Sequence, residues 1–217
     1  MTVEAEVWNA YAESKAKRSP SPDTVQSFRW TQYPGHGPTE AVLGDPKTAL
    51  EVGFGSGDNA AYLARQGVDV TGVDLSPVAV KNVLDRWGGC GARFIETEAV
   101  EYLTKSEERW DAIYSVFGAV WFTDPRELLP LLRDHLNPGG VLAFAHPPAI
   151  DGCYGPQGMY KGGFAGPRQF LRRYCYTPEM WRGILLHTGF MDIEASVIEA
   201  PEPGHIGTLL VRARITR

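Results

Sequence analysis

The hydrophobic positions of this chain alternate between short continuous runs and stretches spaced three and four apart. These are the rhythms of strands covered on both faces and of amphipathic helices between them. From residue 47 the order is regular. A strand ends at Glu51, a helix spans 58–65, a strand spans 68–73, and a helix runs from Ser76-Pro77 to about Trp87. Gly88-Gly89 stops that helix, and 92–95 forms a third strand. The fourth strand, 112–117, is almost wholly apolar. The helix 125–136 carries a leucine stripe, and Asn137-Pro138-Gly139-Gly140 turns into a fifth strand, 141–145. Thr177-Pro178-Glu179 caps a last helix reaching His187. Strands 191–198 and 206–215 follow, joined by a Pro- and Gly-bearing link that suits an antiparallel pair. The pattern predicts an α/β fold, one doubly wound Rossmann-like domain.

Two regions break the rhythm. At the N-terminus, residues 3–17 place Val3, Val7, Trp8, Ala10 and Tyr11 on one helical face, and Ser19-Pro20-Ser21-Pro22-Asp23 ends it. The aromatic, Gly- and Pro-rich stretch 28–38 then reads as a lid, with Trp30 and Tyr33 toward an acceptor; equally, those rings anchor the arm to the sheet. After strand five, 149–176 is rich in Gly and aromatics without a convincing period. It reads as an irregular, functional insertion that lends Tyr154 and Tyr160 to a pocket wall.

The chemistry concentrates where strand one meets helix 58–65. Glu51-x-Gly53-x-Gly55-x-Gly57 hands a strand to a helix through glycines, which leaves amides unpaired and lets a ligand lie against bare backbone. Strand two ends in Asp74, placed to accept hydrogen bonds from ribose hydroxyls. This run, with Gly72-Val73-Asp74-Leu75-Ser76, Trp110–Ser115 and Leu136–Leu142, resembles the motifs of class I S-adenosylmethionine-dependent methyltransferases over roughly residues 47–146. The resemblance implies a seven-stranded, mostly parallel sheet whose last strand is antiparallel, an N-terminal arm (1–46), a methyltransferase domain (47–217) and an acceptor-binding insertion (149–176).

It implies S-adenosylmethionine as cofactor, with Glu51, Gly53, Gly55, Gly57, Asp74, Leu75, Glu98, Ala99 and Ser115 around it. The family usually has an Asp near the adenine amine. Glu98 stands there in this chain, Glu96 in the neighbouring register, and Glu98 equally suits a helix start. Trp121, just past strand four, faces the acceptor. His146, at the end of strand five, is the candidate general base, its ordinary pKa of about 6.5 suiting proton removal; otherwise it binds a neighbouring loop.

Composition narrows the partners. A chain of 217 residues with 43% hydrophobic and 22% charged positions is a globular domain. Its net charge of −5 with scattered cations excludes a nucleic-acid face and mildly favours a neutral or basic acceptor. The longest apolar runs are strand-sized and the first residues lack a signal pattern, so a cytoplasmic protein without membrane contact is expected. Three unevenly spaced cysteines fit free thiols, and no metal ligand set is seen. The reading is methyl transfer to oxygen or nitrogen of a small molecule, such as a secondary-metabolite intermediate, by a monomer or homodimer. Two rivals stand. Gly55-x-Gly57-x-x-Ala60 also fits an NAD-binding oxidoreductase, although Glu51 would repel a pyrophosphate. A methyltransferase-like protein acting on protein or RNA would share the glycine motif.

Overall fold

The computed structural model describes residues 3–17, 25, 27–161 and 169–216, with backbone alone at 3, 4, 159–161 and 169. Ser19–Asp23, residues 162–168 of the insertion and Arg217 lie outside the described residues. Strands β1 (Thr48–Val52), β2 (Asp69–Asp74), β3 (Arg93–Glu96), β4 (Trp110–Val116) and β5 (Leu136–His146) alternate with helices. Those helices are α2 (Asp58–Arg65), α3 (Pro77–Trp87), α4 (Ala99–Lys105), the short α5 (Ala119–Phe122) and α6 (Pro125–Asp134); α1 (Val3–Ala16) precedes them. A hairpin, β6 (Gly155–Lys161) and β7 (Gln169–Cys175), then leads to α7 (Pro178–His187), β8 (Met191–Ile198) and β9 (Thr208–Arg214).

The main sheet has the order β3-β2-β1-β4-β5-β9-β8. β1 to β5 pair in parallel, while β9 runs antiparallel to both β5 and β8. Strand order reverses between β1 and β4, the point at which an α/β sheet opens a crevice beyond its carboxyl ends. Apolar side chains cover both faces: Leu50, Ile113 and Leu142 pack toward Leu128, Leu132 and Trp181, while Ala49, Tyr114 and Ala143 meet Phe28, Trp30 and Leu63. This double burial explains why the strands read as continuous hydrophobic runs. Ser76 and Thr177 each cap a helix through a side-chain oxygen ahead of a proline, as their sequences predict, and Asp124 does the same for α6.

Two expectations change. The insertion is not irregular: β6 and β7 form an antiparallel ladder from Gly155↔Cys175 to Lys161↔Gln169. Gly155, Pro156 and Gly158 interrupt the alternation of side chains on β6, and the ladder needs only backbone partners. Leu171 and Cys175, on one face of β7, are both buried, and β7 packs against α1 and α5. Within the 28–38 stretch, Trp30 and Tyr33 are anchors. Trp30 is fully buried, its ring against Phe28 and its Nε1 donating to Thr39 O (2.9 Å). Tyr33 Oη donates to Ile206 O (2.7 Å) on the outer side of the sheet.

Candidate active site

The glycine turn is held by the acid one strand away. Gly55 N donates to Asp74 Oδ2 (2.9 Å) and Ser76 N to Asp74 Oδ1 (3.0 Å), so one carboxylate ties the β1–α2 turn to the β2–α3 turn. Burial raises the Asp74 pKa, against the lowering pull of those amides. Gly53 has φ +79°, and a Cβ there would stand 2.5 Å from Ala119 N and 2.9 Å from Gly118 Cα. Backbone therefore passes against backbone where α5 begins. Gly55, at φ +55°, has no atom within 4 Å of its Cβ position, and it faces a cavity. Glu51, 3% exposed, lines the same space and accepts a hydrogen bond from Tyr114 Oη (3.2 Å). Burial, with Asp58 nearby, lifts its pKa well above the usual carboxylate range.

The cavity holds about 800 Å³, within the range of about 300–1,000 Å³ typical of small-molecule sites. Its floor is the glycine cradle with Asp74, Leu75, Glu98 and Ala99; its far wall comes from α1, α5 and β7. Trp8 of α1 meets Phe122 of α5 at 4.5 Å between ring centres, closing that end. Ser76 Oγ donates to Asn9 Oδ1 (2.6 Å), tying α1 over the mouth of the cradle. Beside the start of α2, Asp58 takes Arg86 (2.6 Å) on one oxygen and Arg29 (3.3 Å) on the other. Both arginines face the cavity.

Among the residues expected at the site, Glu51, Gly53, Gly55, Asp74, Leu75, Glu98, Ala99 and Trp121 line the cavity. Glu98 also caps α4, its Oε2 accepting from Glu101 N (2.9 Å). Gly57 lies beneath the turn, where a Cβ would meet Val83 Cγ2 at 2.3 Å. Ser115 is buried away from the cavity: its hydroxyl donates to Val52 O (2.9 Å) and accepts from Val120 N (3.3 Å), clamping β4 to β1. Trp30 and Tyr33 serve the anchor described above. Tyr154 is exposed, with its Oη 3.5 Å from Asp151 Oδ1 and no place in the wall. The Tyr160 side chain lies outside the described residues.

His146 also differs from expectation. It is 1% exposed and lies outside the cavity wall, stacked on Trp121 (5.6 Å, 1°) and Phe144 (6.0 Å, 12°). Its Nδ1 stands 2.7 Å from Pro147 O; a carbonyl accepts, so Nδ1 carries the proton. Burial lowers its pKa to about 4. The ring is a neutral backing for Trp121 and does not reach an acceptor as a base. The sequence reading missed Trp8, Arg29, Thr31, Arg86, Leu171 and Arg172 as wall residues. One signal was available: Phe28, Arg29, Trp30 and Thr31 alternate apolar and polar, and the apolar pair is buried.

A seven-stranded sheet in this order, with a glycine cradle and a strand-end acid at the switch point, defines the class I methyltransferase fold. The chain matches, over residues 49–140, the family model described as a methyltransferase domain. It is 27% identical over 101 residues to the ubiquinone biosynthesis O-methyltransferase of Saccharophagus degradans, covering 46% of this chain and 43% of that protein. It is 30% identical over 103 residues to the trans-aconitate 2-methyltransferase of Escherichia coli, covering 46% and 39%. The chain thus spans about two-fifths of the length of the curated relatives it matches. Among solved structures, the Burkholderia thailandensis 1,6-didemethyltoxoflavin-N1-methyltransferase, with its substrate and S-adenosylhomocysteine bound, shares the fold. The TM-score is 0.63 at 23% identity, over 82% of this chain and 75% of that one. Among the described residues, no helix is long and apolar enough to cross a membrane.

Proposed function

We propose that this protein transfers the methyl group of S-adenosylmethionine to an oxygen or nitrogen of a small-molecule acceptor. The observation that carries this reading is the continuity of one cavity from the glycine cradle and Asp74 to an aromatic end closed by α1 and β7. A cleft of that size suits a metabolite better than a folded protein or an RNA strand. The residues present fit the cofactor: Gly55 offers bare backbone, Asp74 accepts from ribose hydroxyls, and Glu98–Ala99 borders the adenine end. Arg29 and Glu51 suit the carboxylate and ammonium of the methionine part, by opposite charge.

The cofactor supplies a methyl already made electrophilic by its sulfonium, so the chain's own work is to hold, orient and exclude water. Trp8, Trp121 and Phe122 form a dry wall on the acceptor side. His146 is covered by Trp121 and plays no part in proton removal in this reading; the acceptor arrives as its own nucleophile, a neutral amine or an ionised hydroxyl. Isothermal titration with S-adenosylhomocysteine, with NAD in a parallel run, tests the assignment. Micromolar binding of the first alone supports it. Binding of NAD instead would turn the cradle into a dinucleotide site.

A further inference from the structure

The charge of the acceptor end differs from that of the chain. Between Asp151 and Glu179 there is no Asp or Glu, while Lys161, Arg168, Arg172 and Arg173 give this stretch a charge of +4 in a protein of net charge −5. Its strand β7 packs against α1 and α5. Arg172 lines the cavity beside Leu171, and the Arg173 guanidinium lies 5.8 Å from the Trp121 ring centre. Arg173 Nε is buried without a hydrogen-bond partner. The same wall presents Trp8, Trp121 and Phe122.

The carboxylates of the cavity are occupied elsewhere. Asp58 is held by Arg29 and Arg86, Asp85 by Lys81 (2.9 Å), Asp74 by two amides, and Glu98 caps α4. Glu51 lies at the end of β1, on the cradle side. Asp124, the acid next to α5, is outside the wall and bonded to Arg126 (2.7 Å). Among the described residues Arg172 has no ion-pair partner. A cation and aromatic faces without a facing acid recognise a planar anion: the guanidinium takes a carboxylate and the rings take the π-face.

Building on the proposed methyl transfer, we infer that the acceptor is a planar, conjugated or aromatic carboxylate whose acid group docks on Arg172 and whose ring lies against Trp121 and Phe122. This reverses the preference for a neutral or basic acceptor that the whole-chain charge suggests: the local field at the hairpin decides which acceptor is drawn in.

The test uses the full chain saturated with S-adenosylhomocysteine. Matched triples of carboxylate, primary amide and amine on one-ring and two-ring aromatic frames are titrated in by calorimetry, with a short single-stranded RNA alongside. At least one carboxylate is expected to bind about tenfold or more tighter than its amide and amine counterparts. Added salt should weaken it, Arg172→Gln should erase the preference, and Arg172→Lys should restore part of it. The inference is overturned if amides or amines bind as well, if no carboxylate binds, if RNA alone binds, or if Arg172→Gln keeps the ranking. Cofactor affinity and melting temperature, read on the same samples, separate the two claims. Loss of S-adenosylhomocysteine binding in the wild type would strike the methyltransferase reading itself, whereas intact binding without the anion preference strikes only this inference.

Discussion

Gly53 and Gly55 look alike in the sequence, and their alanine variants should fail in different ways. Both have positive φ, which costs an alanine about 1–2 kcal/mol and returns about 0.4–1 kcal/mol through a less free unfolded chain. At Gly53 the new methyl would also sit 2.5 Å from Ala119 N and 2.9 Å from Gly118 Cα, backbone atoms that yield only if α5 moves. Overpacking of that kind adds about 1–3 kcal/mol. Gly53→Ala should therefore lose about 2–4 kcal/mol, a fall in melting temperature of about 5–15 °C for a chain of this length. Gly55→Ala meets no atom within 4 Å and should lose only about 1 kcal/mol, roughly 2–4 °C. Its methyl instead occupies cavity where the ligand must approach, so S-adenosylhomocysteine affinity should drop by about tenfold or more. Scanning calorimetry and isothermal titration on the two variants measure both quantities. Equal melting losses, or wild-type affinity in Gly55→Ala, would refute the reasoning.

Asp74→Ala removes the proposed ribose acceptor and should weaken S-adenosylhomocysteine by about 1.5–3 kcal/mol. It should also speed hydrogen exchange at the Gly55 and Ser76 amides, and an unchanged dissociation constant would take Asp74 out of the site. Glu51 holds its proton to higher pH than an ordinary carboxylate, and a ligand ammonium beside it would lower that pKa. Titrations in buffers of different ionisation enthalpy should then show protons released on S-adenosylhomocysteine binding, fewer in Glu51→Gln; identical proton counts would contradict the pairing. His146 has a folded pKa of about 4, below the value of about 6.5 expected unfolded, so the unfolded chain binds the proton first on acidification. Its stabilising share, about 3 kcal/mol, is complete above about pH 6.5 and disappears as pH falls to about 4. His146→Phe should lack that loss while keeping its affinity for S-adenosylhomocysteine, and parallel stability curves for the two proteins over this range would disprove a buried neutral ring.

The scaffold was legible because its cues are local. Ser76-Pro77 and Thr177-Pro178 mark helix starts through the chemistry of adjacent residues, and the apolar run of β4 announces a strand covered on both sides. The cradle was legible for the same reason, since Glu51 to Gly57 lie within one turn and Asp74 closes the next strand. The short α5 was not, because its four residues have too little length to show a period, and its start is set by Gly118 meeting Gly53 across the sheet. The β6–β7 ladder was hidden by glycines that leave no side chain to alternate.

The acceptor side resisted for a further physical reason. Trp8, Trp121 and Arg172 come from three separated segments, and each is ambiguous alone: a tryptophan on a helix face, one after a strand, one arginine of a pair. His146 shows the converse. Its place at a strand's carboxyl end is what a base requires, yet the next residue's carbonyl takes Nδ1 and Trp121 covers the ring. A strand end fixes where a side chain starts, and the neighbours stacked on it fix whether it meets the ligand. The charge of the cavity wall follows the same logic, because a net −5 chain can still set Arg172 at its cavity while Asp58 and Asp74 are engaged at the cradle. The field an acceptor meets is set by the few groups on that wall, Lys15 and Arg172 among its cations, and removing Arg172 reads out its share.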